Sequence, residues 1–277
     1  MCSGSWDGSI RVWGGAGLEH ERTLRDDSAD VRDGVCSLAA DWEGNLISGH
    51  EDSVIRVWNV ATGECCRKLG GHTEVVRCLT VSGTRLVSGS EDKSVKVWAM
   101  GAGASWPCEW TLVGHDGRVF SLAIWRGKVL SGSTDRSVRG WDMGTGAHDA
   151  TLTGHEDAVW GLAVHGDRLF SASRDGTIRE WALGTWAAVR TVEAYGQEER
   201  QFPFCLAVSG SKLISGSAGR GAPDEAQQYE VRVWDLGTLE CEHTLPQPGG
   251  SEVWCLAAGR GQMWGSVGRE VVVWGRV

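Results

Sequence analysis

The sequence is poor in lysine, tyrosine and phenylalanine, with five, two and four of them in 277 residues. It also lacks any excess of positive charge. The formal net charge is −9, which excludes a partner bound through a nucleic-acid backbone, because that needs a basic face. It leaves room for basic protein partners. No two of the nine cysteines form a Cys-x-x-Cys pair, and several (Cys36, Cys78, Cys205, Cys255) fall inside apolar runs. They read as small buried hydrophobes in a reducing compartment. Cys65-Cys66 reads as a coincidence at a strand edge. No apolar run approaches the roughly 20 residues of a membrane span, and the Cys-Ser-Gly-Ser-Trp-Asp after Met1 is no signal peptide. The expectation is a soluble intracellular protein, cytoplasmic or nuclear, with no membrane partner.

Tryptophan, by contrast, occurs 16 times and glycine 40 times. A repeating structural Trp and many tight turns follow from that pair of excesses. Residues 86–98 read LVSGSEDKSVKVW, 129–141 VLSGSTDRSVRGW, 169–181 LFSASRDGTIREW, 46–58 LISGHEDSVIRVW and 1–13 MCSGSWDGSIRVW, and weaker copies end at Trp234 and Trp274. The anchors are therefore Trp13, Trp58, Trp98, Trp141, Trp181, Trp234 and Trp274, spaced 40 to 53 residues apart. Each unit alternates apolar and polar residues as half-buried strands do. In the third unit the spacing predicts strand a over Val75–Val81, b over Arg85–Ser90 and c over Ser94–Ala99, with Cys65–Leu69 as the outer strand d. A four-stranded sheet of this size cannot bury both faces alone, whereas seven packed radially can.

Gly-His about 26 residues before Trp, with Asp six before it, resembles the signature of the WD-repeat family, and the likeness covers nearly the whole chain. It implies an all-β fold: a seven-bladed WD-repeat β-propeller of four-stranded antiparallel blades. Aligning Ser3 with Ser88 puts Met1 already in strand b, so blade 1 is expected to lack strand a and blade 7 strand d. A single N-terminal truncation of about 21 residues would account for both gaps. Bare edges of that kind invite aggregation, so closure by a partner strand is the other expectation. The repeats are most similar to those of F-box and RING-type ubiquitin-ligase substrate receptors, and also to propellers attached to some kinases.

His72, Ser88, Asp92 and Trp98 recur at the same offsets as His115, Ser131, Asp135 and Trp141, and as His155, Ser171, Asp175 and Trp181. A Ser-His-Asp set invites a hydrolase reading, but a catalytic triad occurs once per site, not three times in register. No nucleophile–base pair lies outside these sets, so the chain is expected not to be an enzyme. The family resemblance implies a structural tetrad, in which Asp accepts from His, His bonds Ser, and Ser accepts the indole N–H. The second unit has Ser48, Asp52 and Trp58 but no Gly-His, the first has Ser3, Asp7 and Trp13, and the sixth has Ser215 and Trp234. The seventh has Trp264 in place of the Ser. The glycine-rich stretches at 14–17 and 101–104 open no helix and read as turns, not phosphate loops. His20, Glu21, Asp26, Asp27, Asp30 and Asp33 match no metal-loop spacing and read as a solvated loop. No metal or cofactor is expected.

Two positions per unit are expected to border the channel mouth on the face where strand a enters. The early strand-a position holds Cys36, Arg77, Phe120, Trp160, Phe204 and Trp254. The position before the turn Asp, or its equivalent, holds Trp6, Glu51, Glu91, Thr134, Arg174, Ala218 and Val267. In related propellers these positions touch partners. F-box receptors that read phosphorylated degrons use several Arg there, whereas this chain offers only Arg77 and Arg174. The four aromatics read either as core packing or as a surface for a cation. Candidate partner-binding residues are thus Trp6, Glu51, Arg77, Glu91, Phe120, Trp160, Arg174, Phe204 and Trp254, flanked by long loops at Glu193–Pro203 and Ala218–Tyr229. The function expected is a non-catalytic protein-interaction scaffold taking peptides or proteins with Arg or methylated-Lys segments. Its alternatives are a ubiquitin-ligase substrate receptor and a propeller attached to a kinase or other enzyme.

Overall fold

A computed structural model describes residues 2–14, 19–26, 33–101, 103, 105–195, 201–219, 229–247, 252–259, 262–267 and 270–274. All its regular elements are antiparallel strands joined by turns. The first sheet holds β1 (Cys2–Gly4), β2 (Ile10–Gly14) and β3 (Glu19–Leu24). The second holds β4 (Val35–Ala40), β5 (Leu46–His50), β6 (Ile55–Trp58) and β7 (Cys65–Leu69). The third holds β8 (Val76–Ser82), β9 (Arg85–Ser90), β10 (Val95–Ala99) and β11 (Cys108–Leu112). The fourth holds β12 (Val119–Trp125), β13 (Lys128–Ser133), β14 (Val138–Asp142) and β15 (His148–Leu152). The fifth holds β16 (Val159–His165), β17 (Arg168–Ser173), β18 (Thr177–Ala182) and β19 (Ala187–Glu193). The sixth holds β20 (Gln201–Ser209), β21 (Lys212–Gly219), β22 (Glu230–Asp235) and β23 (Cys241–Pro246). The last holds β24 (Val253–Gly259), β25 (Gln262–Val267) and β26 (Glu270–Trp274).

The expectation of seven four-stranded blades is corrected. Among the described residues the 26 strands form five sheets of four, and the first and last sheets have three strands each, so seven full four-stranded blades are not present. The outer strand is also reassigned. Cys65–Leu69 pairs with β6, opposite Trp58, and the sheet of Trp98 takes β11 as its edge. The sequence repeat and the sheet are therefore offset by one strand. The loop from d to the next a links consecutive sheets, and a partner contributed across that loop ties one sheet to the next.

Strand b is buried along nearly its whole length, as in β9, because it has a neighbour on both edges and a packed sheet on both faces. Strand d is mostly exposed, as in β11. The chain divides into two compact units, Met1–Ser131 with Arg139–Asp149 and Gly132–Val138 with Ala150–Val277. In the first unit Ile47, Ile55, Val57 and Leu69 pack on Val76, Leu86, Trp98 and Met100 of the next sheet. Val87, Val95, Val97 and Leu112 pack on Val119, Val129 and Trp141. In the second unit Phe170 and Ile178 meet Leu213, Trp234 and Leu236, and Ile214 and Val231 meet Val253 and Leu256. Of the four cysteines read as buried, Cys78 is so, Cys36 and Cys205 are half-buried and Cys255 is exposed.

Sheets approach closely where strand b carries Gly. A Cβ on Gly89 would lie 2.6 Å from Cys78 Sγ and 2.7 Å from Val119 Cγ1 of the next sheet. Gly89→Ala is therefore expected to destabilise the fold by about 1–3 kcal/mol through overpacking. Gly101→Ala, where the added methyl meets nothing within 4 Å, should change it by less than about 0.5 kcal/mol. Parallel denaturant melts of the two variants check the pair.

Candidate partner-binding surface

The scaffold of the surface is a repeated hydrogen-bond hub. The strand-b serine accepts the indole N–H of the strand-c tryptophan in six sheets among the described residues. The Nε1–Oγ distances are 2.9 Å for Trp13–Ser3, 2.7 Å for Trp58–Ser48 and 2.9 Å for Trp98–Ser88. They are 2.9 Å for Trp141–Ser131, 2.8 Å for Trp181–Ser171 and 3.0 Å for Trp234–Ser215. His72 Nε2 meets Ser88 Oγ at 2.8 Å while its Nδ1 donates to Asp92 at 2.7 Å. His155 repeats this with Ser171 and Asp175, both at 2.7 Å. His115 reaches Ser131 at 2.8 Å. Ser3 is half-buried; the other serines and the three histidines are buried, so no substrate reaches them. Trp264 and Trp274 lie on β25 and β26, but their side chains fall outside the described part.

Two hubs were not legible as such. The second sheet does have a histidine: His50 stands on strand b itself, two residues after Ser48. Its Nε2 is 2.7 Å from Ser48 Oγ and its Nδ1 is 3.1 Å from Asp33 Oδ2. Burial, with the Arg56 guanidinium beside it, pushes His50 down to about 4, so it is neutral at pH 7. The missing Gly-His is thus replaced by a strand histidine and a loop aspartate, the reverse of the usual placement. In the sixth sheet Tyr195, fully buried, takes the histidine's place 3.4 Å from Ser215 Oγ, with Arg232 stacked 4.3 Å over its ring. The Ser-Trp pair was the available signal in both cases; its buried polar partner had to come from somewhere.

The acidic stretch read as a solvated loop is corrected in part. Asp26 and Asp33 are largely buried against Arg56, and Asp27 and Asp30 lie outside the described residues. Among the described residues no group of three or more His, Cys, Asp or Glu could hold a metal ion.

The early strand-a position has a local cause. Cys36, Arg77, Trp160, Phe204 and Trp254 each sit at a register shift in the a–b ladder, so each is an extra residue with no partner on strand b. A β-bulge of this kind re-aims the side chain. The bulge residue turns away from the packing face that its neighbours fill.

In the first unit the bulge residues and turn residues form ion pairs. Arg77 donates to Glu91 Oε1 through Nε at 2.6 Å and Nη2 at 2.5 Å, and Arg118 holds the other oxygen at 3.1 Å. Arg77 also lies 5.7 Å over the Phe120 ring and 3.7 Å from Cys36 Sγ. Glu51 and the exposed ring of Trp6 meet across Gly34, where a Cβ would lie 3.1 Å from the Glu51 carboxyl and 3.3 Å from Trp6. Arg118 was not anticipated; it lies three residues past the Gly-His.

In the second unit the aromatics form a ladder. Trp160 stacks on Phe204 with centroids 5.1 Å apart, and Phe204 meets Trp254 edge-on at 5.4 Å. Phe202, buried beneath, touches both Trp160 and Phe204. Trp254 keeps 44% of its surface exposed. Arg174, in the turn after β17, is exposed. The two long loops of the sixth sheet are shorter than expected, because Gln201–Pro203 and Ser217–Gly219 pair and extend its hairpin. Gly219 N–H donates to Glu252 at 2.9 Å, which fixes the base of the second loop beside Trp254.

Such sheets with Ser-Trp hubs define a WD-repeat β-propeller protein. Residues 21–59, 63–99, 106–142 and 146–182, more than half the chain, match the WD domain, G-beta repeat model, and the chain belongs to the WD40 family. It is 35% identical over 82 residues to the F-box/WD repeat-containing protein sel-10 of Caenorhabditis elegans, covering 28% of this chain and 13% of that protein. It is 34% identical over 80 residues to an uncharacterized WD repeat-containing protein of Schizosaccharomyces pombe (strain 972 / ATCC 24843), covering 28% of this chain and 21% of the other. The chain thus spans 13% and 21% of the lengths of these two relatives. The computationally designed Ika8 protein matches with a TM-score of 0.76 at 27% identity, over 99% of this chain and 80% of its own. Proteins of this fold generally serve as interaction scaffolds. No helix among the described residues is long and apolar enough to cross a membrane.

The His–Asp pairs make the hub sensitive to acid. Burial alone would raise the Asp92 and Asp175 carboxyls, but hydrogen bonds from His72 and His155 outweigh it and hold both well below the usual range. A carboxyl lowered in the folded state stabilises it above the unfolded value near 3.8 and loses that contribution as pH falls further. His72→Ala is expected to destabilise the fold by roughly 2–4 kcal/mol, since Asp92 and Ser88 lose their shared partner. It should also flatten the fall in stability below pH 4. Melts at pH 7 and at pH 3 compare the variant with the parent.

Proposed function

We propose that this chain is a non-catalytic protein-interaction scaffold that binds an extended segment presenting Arg or methylated Lys, centred on the ladder of Trp160, Phe204 and Trp254. The observation that carries this reading is the ladder itself: three rings at consecutive bulges, within 5.1 and 5.4 Å of one another, with Trp254 exposed. Aromatic faces attract cations by about 0.5–2 kcal/mol each. The chain's net charge of −9 favours approach of a basic segment. Phe120 and Glu91 contribute less than the sequence suggested, because Arg77 already covers one and, with Arg118, neutralises the other. The nine free cysteines suit a reducing, cytoplasmic or nuclear, location.

A second reading, substrate recognition within a ubiquitin ligase, is favoured by the likeness to an F-box/WD protein over 82 residues. It would require phosphate to compete with Glu91 for Arg77 or to bind Arg174.

Trp254→Ala is expected to weaken binding of Arg and trimethyl-Lys peptides by more than about 1 kcal/mol with the melting temperature unchanged. Gly101→Ala, at an open position after β10, should leave binding intact. Fluorescence anisotropy against peptides carrying Arg, trimethyl-Lys, norleucine or phosphothreonine decides the matter. Equal binding of norleucine peptides removes the cation reading, and selective binding of phosphothreonine favours the second one.

A further inference from the structure

Arg56 is a fully charged side chain in an almost closed environment, 2% exposed. Three carboxylates from three segments converge on it. Nε donates to Asp26, just past β3, at 2.8 Å. Nη1 donates to Asp33, just before β4, at 2.8 Å. Nη2 donates to Asp52, in the turn after β5, at 2.6 Å. Lys68 Nζ adds a second cation on Asp26 at 2.6 Å, and Asp52 N–H donates to the free oxygen of Asp33 at 3.0 Å. In the third, fourth and fifth sheets the loop entering strand a is tied down by a histidine, His72, His115 or His155. Here one guanidinium ties both ends of that loop and the following turn.

The segment so held is the seat of two candidate partner-binding residues. Gly34, next to Asp33, lies against the Glu51 carboxyl and the Trp6 ring, and its carbonyl accepts the Glu51 N–H at 3.1 Å. Val35 N–H donates to Ser5 O at 3.0 Å, which joins the turn of the first sheet to the same segment. A planar fork can satisfy several carboxylates in fixed directions, which an ammonium cannot. Burial already raises Asp33 to about 6, so removing the cation drives its carboxyl to take up a proton or to be hydrated, and either outcome loosens its hold on the segment.

We propose that Arg56 is the positioning residue of the partner surface on the first unit, setting Trp6 and Glu51 through Asp33 and Gly34. This rests on the reading that those positions meet a partner, but its test does not need one. The full chain is labelled with 5-fluorotryptophan, the Trp6 resonance is assigned with Trp6→Phe, and amide exchange is measured in parallel. Arg56→Met should shift or broaden the Trp6 resonance and speed exchange at Val35 and Glu51 by at least about tenfold, with exchange in β20 and β21 unchanged. Arg56→Lys should not restore the parent spectrum. Should Arg56→Met fail to fold, Asp33→Asn tests the same link by removing one contact, with the same expected shift at Trp6. A folded variant whose Trp6 resonance and Val35 and Glu51 exchange match the parent overturns the proposal. Peptide anisotropy on the same samples separates the two ideas: a shifted Trp6 with unchanged peptide binding keeps Arg56 as the positioning residue and removes the first unit from the partner surface.

Discussion

The second to sixth sheets of this protein depend on a hydroxyl that never reaches solvent. The strand-b serine accepts an indole N–H from strand c and hydrogen-bonds a third group, and Ser48, Ser88, Ser131, Ser171 and Ser215 are fully buried while doing so. A buried hydroxyl left half-satisfied costs about 1–3 kcal/mol, so the third group is not optional. It comes from the loop that leads in from the preceding sheet in the third, fourth and fifth sheets. One small polar atom therefore fixes strand b to strand c and one sheet to the next.

Where the usual histidine is missing, that demand is met by other chemistry. His50 satisfies Ser48 from within strand b, which frees the loop to supply Asp33 and brings a buried Arg56 into the centre of the sheet. Tyr195 satisfies Ser215 with a phenol held under Arg232. Both substitutions keep the hub and change what the loop carries.

The residues at the early strand-a position inherit their placement from bulges. A residue that strand b does not pair is turned out of the packing face, and its identity is then unconstrained by the core. That freedom explains why Cys36, Arg77, Trp160, Phe204 and Trp254 differ so much in character at one repeated position. In the first unit the freedom is taken up by ion pairs among Arg77, Glu91 and Arg118; in the second it gives adjoining rings.

The repeat, its strand order and the hubs of the third to fifth sheets were readable from the sequence alone. A hydrogen bond between two strands of one hairpin demands a fixed count of residues, so Ser and Trp stand ten apart wherever the turn is short. The His-to-Ser offset of 16 is fixed in the same way by a loop and one strand. The sheet to which each outer strand belongs was not readable, because only pairing shows that Cys65–Leu69 lies beside Trp58. Nor were His50, Tyr195 and the Asp26–Arg56–Asp33 cluster. Those residues look like ordinary polar residues of strands and loops until burial removes their water, and burial is decided by sheets that meet only in the folded chain.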